Sequence, residues 1–147
     1  MTRNSDIASV RLRNQAIADP RFTSPQAVVS WFGAMQAQDY LGALWAVGLR
    51  MKKAVEADIE RALAEKKIVR SWPLRGTLHF VAAEDLKWML ELLGPRVIAR
   101  NAARLKRECE LDASALRRCR AVAINALQGG QQLTRSEFYD ALVRNVG

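Results

Sequence analysis

Gln36, Gln38 and Asp39 stand among apolar neighbours in the stretch Met35 to Tyr40, and no other segment is so locally mixed. A polar cluster inside an apolar run works against simple core packing, so such sites attract a functional reading. Glutamine is a neutral amide that accepts and donates hydrogen bonds and is not a strong general base. Two amides can therefore hold and orient a small polar group, but only if they reach it together. On a helix, positions i and i+2 point about 200° apart. On an extended segment they share a face. The spacing of Gln36 and Gln38 thus predicts a backbone outside regular helix, with both amides on one basic, concave surface. Asp39 is a base in principle, but an extended segment turns it away from both glutamines. The bland alternative is a fraying helix end with solvated side chains.

The elements around this stretch are mostly helices. Residues 5–17 carry Ile7, Val10, Leu12 and Ile17 at helical spacing, with Asp19 and Pro20 ending the segment. Ser24-Pro25 is a strong helix start, and the helix should stop near Met35–Gln36. A third helix is expected at about Leu41–Arg50 and a fourth at about Glu56–Lys66. Acidic residues at the start of the fourth and lysines at its end suit the helix dipole. The period then changes. Ile68–Trp72 and Thr77–Val81 are β-branched and aromatic, and Pro73–Gly76 sits between them, which predicts a β-hairpin with a four-residue loop. Alternation along the second strand sends Leu78 and Phe80 to the core and Thr77, His79 and Val81 to the other face.

A long helix follows from about Ala83, and Gly94-Pro95 should break or sharply kink it, since an interior proline costs about 3 kcal/mol. The next helix, Arg96 to about Glu108, places Arg96, Arg100, Arg104 and Arg107 in one basic stripe. This is either a DNA-facing surface or an ordinary solvated face. Asp112 caps a further helix to about Leu127, ended by Gln128-Gly129-Gly130. Thr134 and Glu137 form a capping box that opens a last helix.

The chain has 147 residues and a net charge of +8, with half its residues hydrophobic. Residues 51–107 carry the excess, 13 Lys/Arg against 7 Asp/Glu. A central basic block points to an anionic partner, of which nucleic acid is the commonest. Cys109 and Cys119 are the only cysteines and there is one histidine, which argues against a zinc site, any other metal, and a secreted disulfide scaffold. No signal peptide or membrane span is apparent, and a cytoplasmic location without membrane partners is the default. Nothing in the pattern implies a cofactor.

The order helix, short extended piece, helix, helix, hairpin is that of a winged helix-turn-helix. There the helix before the hairpin enters a DNA groove and the hairpin wing lies beside it. The expected fold class is mainly α: a winged helix-turn-helix with one small β-hairpin, followed by further helices and the start of a second winged-helix unit. The first domain is expected over residues 1–108 and the second over 109–147, the latter cut short.

Several stretches then resemble the AlkZ-like DNA glycosylases, which are tandem winged-helix proteins. They are Arg11-Leu12-Arg13-Asn14-Gln15, the run Met35-Gln36-Ala37-Gln38-Asp39-Tyr40 continuing to Trp45, the run Ile68 to Val81 with Arg75-Gly76-Thr77-Leu78-His79, and Leu133-Thr134-Arg135. Family members are considerably longer, so the chain resembles an N-terminal portion. The family excises alkylated purines and helps unhook interstrand crosslinks. Its signature is glutamine, an apolar residue, then glutamine or aspartate, which Gln36-Ala37-Gln38 matches. The resemblance implies that Gln36 and Gln38 are catalytic and bind the attacking water. It implies double-stranded DNA as partner, with Lys66, Lys67, Arg70, Arg75 and His79 as the DNA-binding candidates. Glycosylase activity is expected if the full-length context is present. The competing readings are a non-enzymatic winged-helix regulator, which has no need of paired amides there, and a helical interaction domain, which has no need of the basic block.

Overall fold

The computed structural model describes residues 4–74, 76–109 and 112–146, with side chains from Asp6 onward. The chain is mainly helical with a small three-stranded antiparallel sheet. It divides into two compact units, residues 1–97 and 98–147.

In the first unit, α1 (Asn4–Asn14) precedes α2 (Pro25–Phe32), β1 (Met35–Gln36), α3 (Tyr40–Gly48) and α4 (Glu56–Ala64). Strands β2 (Ile68–Leu74) and β3 (Thr77–Ala82) follow. Helix α1 ends three residues before the expected Ile17. Ala16 takes a left-handed backbone (φ 52°), and the Ile17 and Ala18 amides turn back to the Leu12 carbonyl. The buried Ala16 methyl holds this turn in place. Helix α2 starts where Ser24-Pro25 predicts, the Ser24 hydroxyl accepting from the Ala27 amide at 3.2 Å. It stops at Phe32 because Gly33 adopts φ 73°, a conformation glycine alone takes without strain.

The sheet order is β1-β3-β2, so the hairpin has a third strand. β3 is the central strand, paired along both edges, and its last four residues are buried. Phe80, Val81 and Ala82 are fully buried and His79 is 6% exposed. His79 and Val81, expected on the face opposite Leu78 and Phe80, are thus buried along with Phe80. Pro73 is accommodated in edge strand β2 where the register shifts between Ser71 and Leu74, so its missing N–H breaks no ladder bond. Leu74 pairs with Thr77, which shortens the loop from the four residues expected to Arg75 and Gly76. Arg75 itself lies outside the described residues.

Val28 and Val29 of α2, Leu44 and Val47 of α3, Ile59 of α4, Ile68 of β2 and Phe80 of β3 form one core. Burying each such side chain contributes about 1.5–3 kcal/mol. The sheet closes one side of this core, which is why β1 has a fixed position despite its two residues.

Helix α5 (Ala83–Cys109) is a single helix with Pro95 inside it, so of the expected break or sharp kink the break does not occur. Proline removes one donor, and the carbonyl it would have bonded belongs to Glu91, an exposed residue, so water can satisfy that oxygen. In the second unit, α6 (Ala113–Ala126) is capped by Asp112, which accepts from the Ala115 amide at 2.7 Å. A short turn through Gly129 (φ 68°) precedes α7 (Arg135–Val146). Thr134 and Glu137 form the expected capping box: the Glu137 carboxylate accepts from the Thr134 amide at 2.7 Å, and the Thr134 hydroxyl accepts from the Glu137 amide at 3.3 Å. No helix among the described residues is long and apolar enough to cross a membrane.

Candidate functional site

The Gln36–Gln38 segment is extended because β3 pairs with it. Met35 lies opposite Phe80 and Gln36 opposite His79, and the Ala37 amide donates to the Leu78 carbonyl at 2.8 Å. Burial alternates along it. Met35 and Ala37 are buried, while Gln36 and Gln38 are exposed. Both amides thus leave the same side of an extended backbone, away from the core.

Past Ala37 the backbone ladder stops and a side chain continues it. The Leu78 amide donates to Gln38 Oε1 at 3.2 Å. A backbone N–H demands an acceptor, so this bond fixes which end of the Gln38 amide is oxygen. One lone pair of that oxygen is used and a second remains. The Gln36 side chain makes no such bond among the described residues.

Arg70, across the sheet on β2, braces the segment from the backbone side. Its Nε donates to the Ala37 carbonyl at 2.9 Å and its Nη2 to the Gln38 carbonyl at 3.2 Å. Its guanidinium lies 5.5 Å from the centroid of the Tyr40 ring, and that ring meets Phe80 edge-on at 6.3 Å. The core, through Phe80 and Tyr40, is therefore linked to the glutamine segment by one arginine.

Asp39 occupies the N-cap of α3 without a side-chain capping bond. Its carboxylate rests against Gly42, where a Cβ would displace this exposed side chain. Asp39 is exposed, as the glutamines are.

The other sequence-derived candidates separate into groups. Arg70 adjoins the glutamines and is still exposed. His79 pairs with Gln36 through the backbone, but its ring is buried, with Nδ1 2.8 Å from the Thr77 carbonyl. The carbonyl can only accept, so Nδ1 carries the proton. Lys66 and Lys67 are exposed at the end of α4, by the start of the hairpin rather than beside Gln36. Lys66 takes a left-handed turn (φ 58°), and Lys67 pairs with Glu65 at 2.7 Å.

Sequence reasoning missed Tyr40 and Arg50. Arg50 is 8% exposed, bonded to Gln15 Oε1 at 3.1 Å and stacked 4.8 Å from the Phe32 ring centroid. Burial pushes its pKa below the ordinary arginine value. It ties the end of α1 to α2 and α3, and its position at the end of an apolar helix was the available signal. An open apolar cleft of about 420 Å³ lies between α3 and α4, lined by Leu41, Trp45, Val55 and Ile59 among others, and neither glutamine borders it. Among the described residues no group of three or more His, Cys, Asp or Glu is placed to hold a metal ion.

The model of the family described as DNA glycosylase AlkZ-like matches residues 29–145. The chain belongs to this family. No curated protein and no solved structure matches it. In this AlkZ-like chain the matched span takes in β1, both hairpin strands and every candidate site residue from Gln36 to His79.

Proposed function

We propose that this chain is the DNA-binding N-terminal part of a glycosylase that hydrolyses the N-glycosidic bond of N-alkylated purines and unhooks crosslinks built on such bonds. The observation that supports it most is the pair Gln36 and Gln38, presented on one exposed side of an extended segment in a member of a DNA glycosylase family. In this reading α3, α4 and the hairpin form a winged helix-turn-helix, and α6 with α7 opens a second winged-helix unit. Lys66, Lys67 and Arg70 contact the duplex, with Arg75 the further candidate for binding it. His79 acts through β3 by holding the strand that pairs with Gln36.

The chemistry suits neutral amides. An N-alkylated purine is already cationic, so its C1′–N bond breaks with the electron pair passing to the purine. The sugar gains oxocarbenium character, and water then attacks C1′ and releases its proton to solvent. The remaining lone pair of Gln38 Oε1 and the Gln36 oxygen can hold that water and favour the developing positive charge. The bond from Leu78 orients the Gln38 oxygen in advance, which is what such a site needs.

The bond between Gln38 and Leu78 also gives one observation to the alternative, a non-enzymatic winged-helix DNA-binding module in which Gln38 only extends the sheet. Release of free base from N-alkylated duplex DNA separates the two. The expected result is release above the spontaneous rate that disappears in a double Gln36→Ala, Gln38→Ala variant. DNA binding without release, in this chain and in a longer homologue, favours the regulatory module.

A further inference from the structure

Helix α5 carries Arg96, Arg100, Arg104 and Arg107, all exposed. At 100° per residue these four side chains fall within an arc of about 80° and run for about 16 Å along the axis. No acidic residue occurs from Leu92 to Arg107. Among the described residues Arg96, Arg100 and Arg104 make no ion pair, and Arg107 meets only its exposed neighbour Glu108 at 2.9 Å. The first half of the same helix is built differently: Lys87 faces Glu91 at 3.9 Å, one turn apart. Like charges one turn apart destabilise a helix. A solvated face has no need to carry that cost unrelieved.

We infer that this arginine face is a duplex-DNA surface, built from residues other than the glutamine segment, that grips the phosphate backbone without reading sequence. It rests on the reading that the chain binds duplex DNA. A stretch of duplex about 16 Å long presents about ten phosphate charges, ample for four guanidinium groups. A membrane surface fits less well, because an interfacial helix needs an apolar face beside its basic one. The exposed apolar residues of this stretch, Leu92, Val97 and Ile98, lie at three separate bearings around α5.

The test uses the whole chain and lesion-free duplex DNA, with affinity measured across a range of salt. Wild type should show a log–log slope of about −3 to −5. An Arg96→Gln, Arg100→Gln, Arg104→Gln variant should bind at least about tenfold more weakly at low salt, with a slope shallower by about 2 to 3. The matching Arg→Lys variant should restore the slope. Helix content should be the same in all three, since Gln and Lys are both good helix formers. A triple Gln variant that binds duplex DNA as wild type does, with the same slope, overturns the arginine face and leaves the glycosylase reading standing. So does an equal loss from neutralising Lys52, Lys53 and Lys87, or tighter binding to vesicles of 20% anionic lipid than to DNA. If wild type itself binds no DNA, both readings fall together.

Discussion

Gln38 carries two demands that Gln36 does not. Its amide oxygen completes the pairing of β3 by accepting from Leu78, and its free lone pair is what the proposed chemistry uses. Replacing it with alanine should therefore cost about 1 kcal/mol of stability, the net worth of one intramolecular hydrogen bond. Gln36→Ala should change stability by less than about 0.5 kcal/mol, as an exposed side chain without a special bond does. In a catalytically competent protein both changes should slow base release by roughly 10–1,000-fold, the scale of one positioned polar group. Thermal melts and single-turnover release, run on both variants, check the two halves. If Gln38→Ala loses stability while base release keeps its rate, that glutamine belongs to the sheet and not to the chemistry. The extended backbone here was legible from the i, i+2 spacing. The Leu78 donor and the Arg70 brace were not, because both arrive through strand pairing with residues far along the chain, which no local pattern encodes.

The elements divide the same way. Period and capping chemistry locate α2, α3, α4, β2 and β3, since each is signalled by residues inside it. Strand β1 has only two residues and becomes a strand because β3 takes it as a partner. His79 and Val81, which alternation sends to the face opposite Phe80, are buried as well, and no pattern within β3 signals that this second face is covered. Pro95 misled in the opposite direction, because its cost depends on whether the orphaned carbonyl can reach water. The clearest local signal, Thr134 with Glu137, carries a pH prediction. Hydrogen bonds from the Thr134 amide and hydroxyl hold the Glu137 carboxyl below its ordinary value of 4.5. A depressed folded-state pKa means that its stabilising effect is fully present above the unfolded value and is lost as pH falls through the folded one. The start of α7 should therefore loosen as pH drops below about 4.5. Glu137→Gln keeps an acceptor for the capping box and removes the charge. In that variant the Thr134 amide shift, followed by NMR, should no longer titrate in this range. A Thr134 titration that survives the substitution would assign the acid response to another group.

At the scale of the whole molecule, charge and apolar burial are distributed differently. Residues 1–97 and 98–147 each carry a net charge of +4. Among the described residues, however, every buried apolar side chain except Ala115 lies between Ala16 and Met89. In the second unit Ile124, Leu127, Tyr139 and Val143 are 45–65% exposed, and α6 and α7 meet largely through partly covered side chains. Net stability comes mainly from apolar area removed from water, so the two units should open with different free energies. Amide hydrogen exchange on the free chain should find Phe80, Val81 and Ala82 exchanging only through global unfolding of the first unit. The amides of α6 and α7 should exchange at least about 100-fold faster, through local opening of a few kcal/mol less. Adding urea should steepen exchange for the β3 amides, which need large surface exposure to open. It should leave the α6 and α7 amides less affected, because little additional surface is uncovered when they open. Equal protection and equal urea dependence in both units would mean that the chain unfolds as one cooperative body. The second unit would then owe its stability to something other than its own core.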